Sequence, residues 1–200
     1  MAATNKEHIE TIIAQTFNVI AEAYQTNKEK QLGGFSAQRS RILFPKKRDK
    51  QTRISEQELR FVFIEQFNQY VHNHPEWDVY YSVETPTENG YSGFDTINPK
   101  CEGQNGGRSG CVDMCIHNST GKRICMIEFK ANNQDKTTYT KDFCKLTNEK
   151  VELAYFLQII ENDNSGTVPN IIEKTKTCKG DSIHYCYCLK KKDYVIKPQK

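Results

Sequence analysis

The chain has 200 residues, 28 Lys and Arg against 25 Asp and Glu for a formal charge of +3, and 36% apolar residues. That is enough for one domain with a substantial core, and it excludes a disordered, collagenous or strongly basic chain. No apolar run approaches the ~18 residues of a membrane span, and no apolar stretch follows a basic start, so neither a span nor a secretory leader is expected. Eight cysteines without other marks of an oxidising compartment predict reduced, buried thiols and a cytoplasmic protein.

Residues 7–25 repeat Ile9, Ile12, Ile13, Phe17, Ile20 and Tyr24 at helical spacing, which predicts an amphipathic packing helix. Gly33-Gly34 then breaks the pattern. From Arg39 to Arg53 the chain carries Arg39, Arg41, Lys46, Lys47, Arg48, Lys50 and Arg53 against Asp49 alone. Such a segment attracts phosphate backbones without reading sequence. A solvated loop is the competing reading, and it applies equally to the lysines of the tail. Ser55-Glu56-Gln57-Glu58 has the spacing of a capping box and starts a helix through Leu59, Val62, Phe63, Phe67 and Tyr70. His72-Asn73-His74 before Pro75 reads as its terminus.

Residues 78–84 alternate and are rich in Val and Tyr, predicting a first strand. Residues 85–110 read as a Gly, Asn and Pro loop, with Asp95 as a turn former. A hairpin follows: Val112, Met114 and Ile116 alternate with Cys111, Asp113 and Cys115, and residues 124–130 form the partner beyond a polar, Gly-containing turn. Then come a helix over 140–150 and an apolar run over 153–160, read as a strand rather than a buried helix from its aromatic and Ile content. A short helix over 168–176 and a strand over 183–189 complete the pattern.

Asp113, Glu128 and Lys130 are out of place in an apolar hairpin. With a side-chain period of two, Glu128 and Lys130 share a face. Buried charges must pair or bind metal. Carboxylates are hard ligands for Mg²⁺, and a lysine beside them stabilises phosphoryl charge or assists water deprotonation.

Val112-Asp113, followed at a distance by Glu128-Phe129-Lys130, resembles the Asp…Glu-X-Lys signature of the PD-(D/E)XK nuclease superfamily, with Val112 where the motif has proline. The resemblance implies an α/β fold with a restriction-endonuclease-like αβββαβ core and a mixed sheet flanked by helices. The core would span residues 55–200, with residues 1–54 as an N-terminal helix and basic arm packed on it. It implies Mg²⁺, with Mn²⁺ as a substitute, held by Asp113 and Glu128. Lys130 would act on water and phosphate, and a glutamate from the first core helix would join them. Glu56-Gln57-Glu58-Leu59 nominates Glu56, with Glu58 as runner-up because the capping box also claims it.

The expected function is metal-dependent DNA endonuclease, leaving a 5′-phosphate and a 3′-hydroxyl as the resemblance implies. The expected partner is DNA, and double-strand cleavage would point to a homodimer, since one catalytic centre cuts one strand at a time. The alternatives are a catalytically silent module of the same fold that binds nucleic acid or protein, and a small α/β assembly domain. Zinc is disfavoured: Cys111 and Cys115 would lie ~13 Å apart along a strand, and paired Cys-x2-Cys knuckles are absent. A phosphate-binding Gly-Lys-Ser loop is absent too, which disfavours an ATP-driven motor.

Overall fold

The stripe of Ile9, Ile12, Ile13, Phe17, Ile20 and Tyr24 forms the buried face of α1, Asn5–Glu29, in a computed structural model. The structure describes residues 3–29, 42–49, 51–93, 99–103, 105–164, 166–176 and 181–198, excepting the side chains of 26–29. Gly33-Gly34, Arg39, Arg41, Lys50 and Asp95 lie outside the described residues. The second helix, α2, spans Glu56–Asn73 and begins with the expected capping box, in which Glu58 Oε2 accepts the Ser55 N–H at 2.7 Å. His74 caps its end, in keeping with the His-Asn-His string before proline.

Seven strands follow: β1 Val79–Ser92, β2 Lys100–Gly103, β3 Arg108–Asn118, β4 Arg123–Ala131, β5 Leu153–Ile160, β6 Ile183–Cys188 and β7 Asp193–Ile196. They form a single mixed sheet in the order β2-β1-β3-β4-β5-β6-β7. The helices α3, Lys136–Asn148, and α4, Thr167–Thr175, connect the parallel pairs β4–β5 and β5–β6, as parallel strands require. The protein is therefore an α/β fold. Its hairpin β3–β4 is antiparallel, as the polar turn requires.

The sheet is covered on both faces. Toward α1 and α2 it presents Met114, Ile116, Ile127, Phe129, Leu157 and Ile159. Toward α3 and α4 it presents Val112, Met126, Phe156, Ile160 and Cys186, against Tyr139, Phe143 and Ile171. Double coverage explains why β4 and β5 are near-continuous apolar runs. Among the described residues no helix is long and apolar enough to cross a membrane.

Four expectations are corrected. Residues 85–110 are not one long loop, because β1 continues to Ser92 and β2 pairs with its end. Pro and Gly are accommodated there by a register shift between Pro86 and Gly90. Buried Glu149, just beyond α3, holds that stretch by accepting the N–H groups of Glu88 and Asn89 at 2.7 and 3.0 Å. The third helix starts at Lys136, ahead of residue 140, because Asp135 caps it by accepting the Thr138 N–H at 2.8 Å. The chain after Leu189 is not only a basic tail: it turns at Lys192, with φ 57°, into β7. The described cysteines are free, but Cys101 and Cys111 are exposed rather than buried.

Phe143 anchors α3 by stacking on Phe156 with ring centroids 4.4 Å apart, and neither ring is exposed. Phe143→Ala is expected to lower unfolding free energy by about 3–5 kcal/mol. Phe143→Leu should cost clearly less, because it keeps much of the packing. Urea unfolding of both variants measures the difference.

Candidate active site

The charged groups of the hairpin gather at the end of β4. Pairing of β3 with β4 runs from His117↔Arg123, through a register shift between Ile116 and His117, to Met114↔Ile127. Asp113 lies just past the last pair, and its Oδ2 accepts the Phe129 N–H at 2.8 Å. That bond ties Asp113 to the middle residue of Glu128-Phe129-Lys130. On its other side, Asp113 Oδ1 is 4.0 Å from Arg60 Nη1 of α2, and the same nitrogen lies 2.5 Å from Glu84 Oε1. Glu84 adopts φ 47°, a left-handed conformation that costs a non-glycine residue energy.

Glu128 and Lys130 share the face toward α3, as their period of two requires. The α3 helix answers them with Asp142 and Lys145. Lys130 Nζ is 2.8 Å from Asp142 Oδ2 and 3.6 Å from Glu56 Oε2. Lys145 Nζ is 2.5 Å from Glu128 Oε1 and 3.1 Å from Asp142 Oδ1, and it donates to the Cys111 carbonyl at 2.8 Å. Acids and ammonium groups thus alternate from Glu56 through Lys130, Asp142 and Lys145 to Glu128. Glu56 is the more exposed end of this chain and Glu128 the buried end. Glu58, the alternative helix acid, is engaged with Ser55 and with Arg53 at 3.2 Å.

Burial pushes the Glu128 carboxyl well above the usual range, and Asp142 pushes it further, while Lys145 opposes both. Burial disfavours the charge on Lys130, yet Asp142 foremost, with Glu56 and Glu128, overrides it and holds that pKa above the lysine range. Lys145 behaves likewise: burial opposes its charge, and Glu128 and Asp142 override it. Both lysines are ammonium groups in this state.

Glu128 Oε1 and Asp142 Oδ2 are contacted at ion-pair distance, but neither contact has hydrogen-bond geometry. Buried oxygens left in this condition suit a non-directional cation, and carboxylates are the donors that Mg²⁺ prefers. The residues therefore fit the ion that the sequence motif implies. Among the described residues, no group of three or more His, Cys, Asp or Glu is assembled to hold a metal. In this structure the Lys145 ammonium stands between two of the carboxylates.

Lys130 is further held from behind. Its parallel neighbour across β5 is Gln158, a fully buried amide in an apolar run. Gln158 Nε2 donates to the Asn132 carbonyl and to Tyr139 Oη, each at 2.7 Å. This fixes the turn just past Lys130, where Asn132 has φ 61°. Asn132 Nδ2 in turn donates to the Ile54 carbonyl at 3.2 Å, so the basic segment ends beside the site.

Arg60, Asp142, Lys145 and Gln158 belong to the site and are missed by sequence reading. Arg60 follows Glu56 by one helical turn, and Asp142 and Lys145 flank core Phe143 with the i,i+3 spacing of one helix face. Those spacings are the signals that could have found them. A separate cavity of about 510 Å³ is lined by Gln15, Glu65, Gln66, Gln69, Tyr70, Asn73 and His74. It lies toward the far end of α2, ~20 Å along the helix from Glu56, and shares no residue with the charged cluster.

Comparisons with models of known protein families, with curated proteins and with solved structures find no match to this chain.

The Lys130–Asp142 pair is the central link of the alternating chain. Lys130→Met is expected to cost about 3 kcal/mol, because it removes one partner from a buried carboxylate. In an Asp142→Asn background the same change should cost substantially less. A double-mutant cycle by urea unfolding measures the coupling, and equal losses in the two backgrounds would show that the pair is energetically independent.

Proposed function

We propose that the protein is a metal-dependent endonuclease that hydrolyses DNA phosphodiester bonds, built on a restriction-endonuclease-like core. The observation that carries this reading is the convergence of three elements: α2 brings Glu56, β3 brings Asp113, and β4 brings Glu128 and Lys130 to one end of the sheet. The order α2, β1, β3, β4, α3, β5 is similar to the αβββαβ arrangement of that core. The short β2 interrupts it and β7 extends the sheet.

In this reading Asp113 and Glu128 would hold Mg²⁺ or Mn²⁺, with Asp142 beside them, and the ion would supply Lewis acidity to activate water and offset charge on the phosphate. Lys130 contributes an ammonium that binds a phosphoryl oxygen and stabilises the charge gained in the transition state. Glu56, at the exposed end of the chain, holds Lys130 from the side opposite Asp142. Arg60, shared between Glu84 and Asp113, fixes the Asp113 carboxylate. The exposed Lys46, Lys47 and Arg48 lie in the segment that Asn132 anchors at Ile54, where they supply phosphate-backbone contacts near the site.

The second reading is a silent module of the same fold. It is favoured by one observation: the two lysines already neutralise the buried carboxylates of Glu128 and Asp142 without a metal.

Incubation with supercoiled plasmid and with branched or single-stranded DNA separates the two. Nicking is expected in Mg²⁺ or Mn²⁺, none in chelator, and losses of about 100-fold or more for Asp113→Ala and Lys130→Ala with the fold intact. Undiminished cleavage by both variants would defeat the nuclease reading. Salt-sensitive DNA binding without any cleavage would favour the silent module.

A further inference from the structure

We propose that Lys145 is the resident counter-cation of the carboxylate cluster: its ammonium occupies the Glu128 oxygen that a divalent ion shared with Asp113 would need, and the ion binds only when this side chain withdraws. The inference rests on the metal-dependent reading above and concerns a residue outside the Asp…Glu-X-Lys motif.

The Nζ atom of Lys145 sits among three hard oxygens, Glu128 Oε1 at 2.5 Å, the Cys111 carbonyl at 2.8 Å and Asp142 Oδ1 at 3.1 Å. Those are the donor types that bind Mg²⁺ and Mn²⁺, gathered around one point already filled by a positive charge. The shortest contact lacks hydrogen-bond geometry, so the ammonium is held to Glu128 by charge, while its directed bond goes to the Cys111 carbonyl. A divalent ion at that point would bring two like charges to contact distance, and the ammonium must leave for the ion to enter.

Charge balance leads to the same result. Around Lys145 the buried carboxylates of Glu128 and Asp142 already face the ammonium groups of Lys145 and Lys130, a formal balance of zero. Adding a divalent ion while Lys145 stays would leave two uncompensated positive charges in a buried cluster, whereas exchanging Lys145 for the ion leaves one. A way out exists. The Lys145 side chain retains 10% exposure, and the carbonyl it contacts belongs to Cys111, an exposed position on β3.

The test is Mn²⁺ binding by calorimetry, with melting in chelator and in Mn²⁺, for the wild type, Lys145→Met and Lys145→Gln. Apparent affinity falls with the fraction of molecules in the binding-competent state, so removing the ammonium should tighten Mn²⁺ binding by about tenfold or more. Lys145→Met should melt below the wild type in chelator, and Mn²⁺ should raise its melting temperature more than it raises that of the wild type. Adding Glu128→Gln should abolish the gain. Lys145→Gln, which keeps a neutral donor, serves if Lys145→Met does not fold.

Equal or weaker Mn²⁺ binding by the folded Lys145 variants, with the wild type binding, would overturn the counter-cation role and leave the metal-dependent reading standing. Binding by the Lys145 variants alone would support the role and overturn metal dependence of the natural protein. Mn²⁺ binding by none of them would overturn both.

Discussion

Glu128 is a carboxylate in the middle of a sheet covered on both faces, and its charge must be matched where water cannot match it. The match comes from Lys145 on α3, and Asp142 then needs Lys130, which in turn reaches Glu56 on α2. Two helices on opposite faces of the sheet are thereby joined through the end of β4. A buried ion pair is weak evidence for stability, since apolar residues of similar volume often do as well. Removing one partner, by contrast, leaves an uncompensated buried charge and is strongly destabilising.

The topology makes room for that cluster. The antiparallel hairpin loses its regular pairing before Asp113, and the Asp113 carboxylate takes the Phe129 N–H instead of facing a partner strand. Opposite, Glu84 accepts a left-handed backbone and turns its carboxylate to Arg60. On the other side of β4, parallel pairing with β5 places Gln158 beside Lys130, and its amide pins the turn at Asn132. Two of the three left-handed non-glycine residues among the described residues, Glu84 and Asn132, thus flank the cluster, one on each side of β4.

The wider charge distribution divides unevenly. Lys190 and Lys191 in the turn before β7 are engaged by Glu161 and Asp163, so the tail contributes less free positive charge than its sequence implies. Lys46, Lys47 and Arg48 are exposed, and the segment that carries them ends at the site. The unpaired positive charge is thus greater on that segment than on the turn before β7.

Much of this architecture is legible in the amino-acid sequence. Residues 7–25 have the period of a packed helix, Ser55 and Glu58 spell a cap, and the Asp113, Glu128 and Lys130 positions stand out because charge interrupts an apolar hairpin. These are local signals, carried by spacing along the chain. The extension of β1 to Ser92 is hidden, because Pro and Gly resemble a loop until Glu149 supplies the distant acceptor for their neighbours. Asp142 and Lys145 are hidden for a similar reason: on an isolated helix they look like a solvated i,i+3 pair. Only packing of Phe143 against Phe156 turns that helix face inward and brings both charges onto Glu128 and Lys130. Which residues are out of place is thus written in one dimension, since a charge in an apolar strand is visible from its neighbours along the chain. Which groups neutralise them is fixed by the packed fold alone, because Coulomb interactions depend on separation in space and not on separation in sequence.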